Sequence, residues 1–106
     1  METTTIRVLL ATVPVGDVDD LCSALLDEHL IACANVISPL RSIYWWKGTK
    51  EESVESLLLM KTGEDLVEKA TARIVELHPY EVPEVIVLPV VGGHKPYLDW
   101  VVGETR

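Results

Sequence analysis

Ser42-Ile43-Tyr44-Trp45-Trp46-Lys47-Gly48-Thr49-Lys50-Glu51-Glu52-Ser53-Val54-Glu55-Ser56-Leu57-Leu58-Leu59-Met60-Lys61 is the stretch on which the fold turns. Two β-leaning runs flank a polar tip, Lys47 to Glu52, and the pattern predicts a hairpin in which Gly48 supplies the positive φ of a tight reversal. Side chains alternate faces along a strand, so Tyr44 and Trp46 point one way and Ile43 and Trp45 the other. Both faces therefore carry large apolar groups near the tip. Two helices cover one face of a small sheet and seldom the second. A buried Trp removes ~150–250 Å² from water, worth up to roughly 5 kcal/mol at ~25 cal/mol/Å² before ordering costs. A single chain with one Trp capping the core edge and one half exposed would satisfy the pattern. The expectation is instead that like copies cover the second face, because an apolar patch of that size marks an interface.

On the N-terminal side, Thr5 to Thr12 reads as a strand with Ile6, Val8 and Leu10 on one face and Arg7, Leu9 and Ala11 on the other. Pro14 and Gly16 break it. Asp17 is placed to cap a helix whose first turn holds Asp19 and Asp20, and Val18, Leu21, Cys22, Leu25, Leu26 and Leu30 form its apolar stripe. His29 borders that stripe. Ala32 to Ile37 is small and apolar, a strand pressed close to a neighbour, with Pro39 marking a bulge or bend. The return strand of the hairpin is expected from Val54 to Thr62, and its apolar run implies burial on both faces.

Thr62, with Asp65 three residues on, reads as the cap of a second helix whose buried stripe is Leu66, Val67, Ala70, Ile74 and Leu77. Pro79 ends it near Leu77 or His78 and makes His78 to Glu84 extended and stiff. Val85 to Leu88 is a fourth strand, Gly92-Gly93 a loop, and Pro96 opens a short terminal helix with Tyr97, Leu98, Trp100 and Val101 on its apolar side. The order predicts an α+β, ferredoxin-like βαββαβ plan with a short C-terminal helix, in one domain over residues 1–106.

The chain has 106 residues and a formal net charge of −8, a field that repels nucleic acid in the absence of a Lys/Arg cluster. The strand order is shared with RNA-binding modules, but the strands lack a basic, aromatic stacking motif. Apolar residue types make up 48%, which excludes disorder. The start, Met1 to Arg7, has no positive secretory region, no segment approaches the ~20 apolar residues of a membrane span, and Cys22 and Cys33 have no metal-type spacing. A cytoplasmic protein with small, buried cysteines is expected. No nucleophile elbow, phosphate-cradling loop, HExxH or CxxC is present, so no enzyme is expected. The most suggestive polar site is His78 in its Pro-framed loop, beside Glu81 and Glu84. Imidazole ligates copper and zinc, but a His at a helix C-terminus also serves structure alone. His94 reads as a helix-start or exposed residue.

Ala32-Cys33-Ala34-Asn35, Ser42 to Gly48, Lys61-Thr62, His78-Pro79-Tyr80-Glu81-Val82-Pro83-Glu84 and Tyr97-Leu98-Asp99-Trp100 together resemble the CutA family of divalent-cation tolerance proteins. The resemblance runs in register over nearly the whole chain. It implies a ferredoxin-like fold related to PII signalling proteins, a homotrimer, and a link to tolerance of copper(II) and other divalent cations. Copper ligands in one branch are a first-strand Cys and a doubled His before Pro-Tyr. Ala11 and Leu77-His78 stand at those positions, so His78 is the one match and weak cation binding is the expectation. The PII-like alternative is a small-ligand sensor or scaffold whose ligand sits in clefts between subunits, with Trp46, Lys61, Tyr80, Glu81 and Trp100 as candidate lining.

Overall fold

Lys47 and Gly48 alone reverse the hairpin in the computed structural model, which describes residues 3–106. Both sit at positive φ, 50° and 81°, the geometry of a two-residue turn whose twist matches the strands it joins. Pairing resumes at once, with Trp46 opposite Thr49 and Tyr44 opposite Glu51. The expected six-residue tip is therefore two residues long, and Thr49 to Glu52 are strand. A ladder needs only backbone groups, so polar side chains continue it where both faces meet solvent. Met1 and Glu2, part of the start read against a secretory signal, lie outside the described residues.

The hairpin joins β2 (Cys33–Trp46) to β3 (Thr49–Gly63). Around it lie β1 (Ile6–Pro14), α1 (Val18–Asp27), α2 (Val67–Leu77), β4 (Val85–Pro89) and α3 (Lys95–Glu104), with short 3₁₀ turns at Val15–Asp17 and Glu64–Leu66. The sheet order is β2-β3-β1-β4 and every neighbouring pair is antiparallel, the α+β plan that the element order predicted. The hairpin arm stretches the molecule to 44 × 32 × 23 Å. Pro39 follows a cis bond from Ser38 and sits in the register shift between Ile37 and Leu40, the expected place for a residue without an N–H. No helix among the described residues is long and apolar enough to cross a membrane.

Three local expectations are corrected. β1 runs on to Pro14, opposite Glu55, because a strand's last ladder position tolerates a missing donor. Asp17 stands at the start of α1 but makes no side-chain cap bond; the 3₁₀ turn before it leads the chain into the helix. Thr62 caps nothing. It lies in β3, fully buried, and its hydroxyl donates to the Leu30 carbonyl at 2.7 Å.

Leu9, Ala11, Leu58 and Met60 share one face of the sheet and form the core with Leu21 and Leu25 of α1 and Ala70 and Ile74 of α2. The other face is the alternate set. Leu10 lies between Leu59 and Ile86, Val8 pairs with Leu88, and Ile37 pairs with Leu57. α3 reaches one corner of it, where the Tyr97 hydroxyl meets the Cys33 sulfur at 3.4 Å. Ile37, Ile86 and Leu88 remain exposed, as do both hairpin indoles, Trp45 at 70% and Trp46 at 40%.

Candidate functional site

Two segments that the chain makes stiff for different reasons face each other across a cleft of about 720 Å³. One wall is the hairpin, with Ser42, Ile43, Tyr44 and Trp46 of β2 and Glu55 of β3; the other is the Pro79 to Glu84 segment, with Thr12 at the floor. The prolines at 79 and 83 restrict their own and the preceding residues' dihedrals, so this wall is presented at little entropic cost.

His78 fastens that wall to the sheet. It is 7% exposed. Its Nε2–H donates to the Thr12 carbonyl at 2.7 Å, and its Nδ1 accepts the Tyr80 N–H at 3.1 Å. The pair of bonds requires the neutral Nε2–H tautomer. The Tyr80 ring packs 4.7 Å from the imidazole, and its hydroxyl donates to Glu55 Oε2 at 3.1 Å. A continuous path thus runs from β1 through His78 and Tyr80 to Glu55. Glu55 is only 3% exposed. Its Oε1 has no hydrogen-bond partner among the described residues. Tyr44 is tied separately, its hydroxyl 2.7 Å from Ser53 Oγ.

Burial, and then the bond to Glu55, push the Tyr80 phenol up to about 12 from an ordinary 10.0. The bond to Cys33, then burial, push Tyr97 to about 12 as well. A phenol whose folded pKa exceeds its unfolded value contributes stability that is whole below pH 10 and is lost as pH rises toward 12. The denaturation midpoint is expected to fall between pH 10 and 12, less steeply in Tyr80→Phe than in the unaltered chain. Identical slopes would remove Tyr80 from the alkaline transition. Burial, with Asp19 adding to it, also raises the Cys22 thiol, which marks an unreactive sulfur. Both cysteines are free and half-buried.

Of the expected cleft residues, Trp46, Tyr80 and Glu81 come together. Lys61 and Trp100 do not join them within one chain. Lys61 lies further along β3, about 20 Å from Glu55 at the usual ~3.4 Å rise per residue, and bonds Asn35. Trp100 packs on Tyr97, ring centres 5.6 Å apart. The pair shares a neighbourhood through Cys33, which is opposite Lys61 and bonded to Tyr97. Glu55 and Tyr44 are cleft residues that the site prediction missed. The signal for Glu55 was present: it shares a strand face with Leu57 and Leu59, a carboxylate on an apolar face.

A metal at His78 would have to compete with the bonds the ring already makes. Both nitrogens are engaged inside the chain, and a metal would have to displace the Tyr80 N–H. Ala11, at the position of the first-strand Cys, is fully buried in the core. Among the described residues no three His, Cys, Asp or Glu side chains are placed to hold one metal ion. The residues do not fit a tight copper centre. His94 and His29 keep the roles expected of them: the His94 carbonyl accepts from Tyr97 and Leu98 at the start of α3, and His29 Nδ1 meets the Glu104 carbonyl at 2.9 Å.

Residues 7–104 match the family described as CutA1 divalent ion tolerance protein. The chain is 44% identical over 96 residues to the divalent-cation tolerance protein CutA of Thermus thermophilus, covering 90% of this chain and 93% of the relative. It is 39% identical over 100 residues to the chloroplastic protein CutA 1 of rice; the match takes in 93% of this chain but only 56% of that longer protein. The apo structure of a PII-like protein CutA from Nostoc superposes with a TM-score of 0.89 at 37% identity, covering 94% and 97% of the two chains.

Proposed function

The chain belongs to the CutA1 divalent ion tolerance family, and from that premise we propose that it is a cytoplasmic, non-enzymatic homotrimer that serves tolerance of divalent cations and binds them weakly. The observation that carries the reading is the cleft, where Glu55, Glu81 and Glu84 line one space and, among the described residues, no Lys, Arg or His shares the lining. Oxygen donors of this kind suit hard cations better than copper(I) or zinc, and without converging ligands they bind at about millimolar strength. The trimer is supported by the second sheet face and the two exposed indoles, more apolar surface than α3 covers. Free cysteines suit a reducing compartment.

Calorimetric titration of chelator-treated protein with calcium, manganese and copper tests the cation reading. Weak, salt-sensitive heats that shrink in the double variant Glu81→Gln/Glu84→Gln are expected. Stoichiometric micromolar copper binding that disappears in His78→Ala would replace this reading with a specific site. Absence of any heat would remove cation binding altogether.

A second reading has its own support. The walls of the cleft are aromatic as well as acidic, and its volume is that of a small-molecule pocket, as a PII-like ligand sensor would need.

A further inference from the structure

We propose that the cleft between the hairpin and the Pro79 to Glu84 segment is a receptor site for a small organic ammonium ion. The inference rests on the ligand-sensor reading and names the chemistry of its ligand.

The buried carboxylate is the first ground. Glu55 is 97% removed from solvent, with one oxygen held by the neutral Tyr80 hydroxyl and the other unbonded at the cleft wall. The free oxygen opens on the cleft, and among the described residues no cationic side chain lines the space. The second ground is independent of charge count. Three rings, Tyr44, Trp46 and Tyr80, line the same cleft. Aromatic faces attract ammonium groups within ~6 Å of the ring centre. The hairpin already shows this attraction, with Lys47 Nζ 5.7 Å from the Trp46 ring centre and Lys50 Nζ 5.8 Å from that of Trp45.

Size and ligand geometry decide against a bare metal ion as the occupant. A metal needs several donors converging on one point, and among the described residues no such set exists. Rings do not coordinate hard cations. A volume of about 720 Å³ suits a molecule with an apolar body, which Pro79 and Val82 can cover while its charged nitrogen meets Glu55. The cation need not be dehydrated to the extent a metal would be, because its charge is spread over alkyl groups.

The experiment is a titration of the assembled protein with tetramethylammonium chloride at constant ionic strength, read by tryptophan fluorescence and calorimetry. Tert-butanol serves as the uncharged analogue and calcium as the metal. Saturable binding of tetramethylammonium, no saturation with tert-butanol, and at least a tenfold loss of affinity in Glu55→Gln are expected. Trp46→Leu, at a half-exposed hairpin position, is expected to lose the same binding whatever Glu55→Gln does to folding. Equal response to tert-butanol would overturn the proposal in favour of a plain apolar pocket. Calcium saturation without tetramethylammonium saturation would overturn it and leave the weak-cation reading standing. No response to either ion removes both. Loss of assembled mass in Glu55→Gln, with no ammonium binding in the unaltered protein, would overturn it by assigning Glu55 to a contact between copies.

Discussion

His78→Ala is expected to lower the unfolding free energy by about 2–4 kcal/mol and to leave the weak divalent-cation heats unchanged. The size follows from what the ring holds. Removing it strands the Thr12 carbonyl and the Tyr80 N–H in a partly buried place, each at the lower part of the about 1–3 kcal/mol range for a lost partner. It also frees the stiff segment from β1, so Tyr80 loses the support that aims its hydroxyl at Glu55. His78→Gln, which can still donate to Thr12, is expected to recover part of the loss. Denaturant midpoints at one fixed protein concentration read the effect, since assembly makes stability depend on concentration. A variant as stable as the parent would mean that the imidazole is not the fastening; a variant that is stable but no longer binds cations would restore it as a ligand.

Ile86→Glu is expected to turn the assembly into folded single chains at micromolar concentration. Ile86 is 47% exposed in one chain and lies beside Leu10 on the face that α1 and α2 do not cover. In a lone chain the new carboxylate stays wet and costs little. Under a neighbouring copy it would be desolvated without a partner, a penalty of several kcal/mol at each repeat of the interface. Sedimentation velocity reads the mass and far-ultraviolet circular dichroism checks that the chain remains folded. Parent protein that already sediments as a single chain would remove the trimer and the intersubunit setting of the cleft. A variant that keeps its assembled mass would place the interface elsewhere, on the hairpin indoles for example.

The hairpin was legible because alternation and a Gly are local signals, and so was the placement of Tyr44 and Trp46 on one face of β2 and Ile43 and Trp45 on the other. Its tip was read too long because polar Thr49 to Glu52 resembles a loop, although backbone pairing is indifferent to polarity in an exposed arm. Thr62 followed by Asp65 is a sound local match to a helix cap, yet its hydroxyl is taken by Leu30, 32 residues away. The site was half legible for the same reason. Trp46, Tyr80 and Glu81 stood out by residue type and lie in one cleft, whereas Lys61 is carried off along the same long strand that brings Glu55 in.

Residue order alone determined the strands, the helices, their order along the chain and the surplus of apolar β-surface, because side-chain period and backbone restriction act over a few positions. Only the folded chain decided that His78 is a fastening and that Glu55 is the buried carboxyl at the cleft. Both roles depend on partners far away in the chain, Thr12 at 66 residues from His78 and Tyr80 at 25 from Glu55, and no local pattern encodes which distant group will occupy a lone pair.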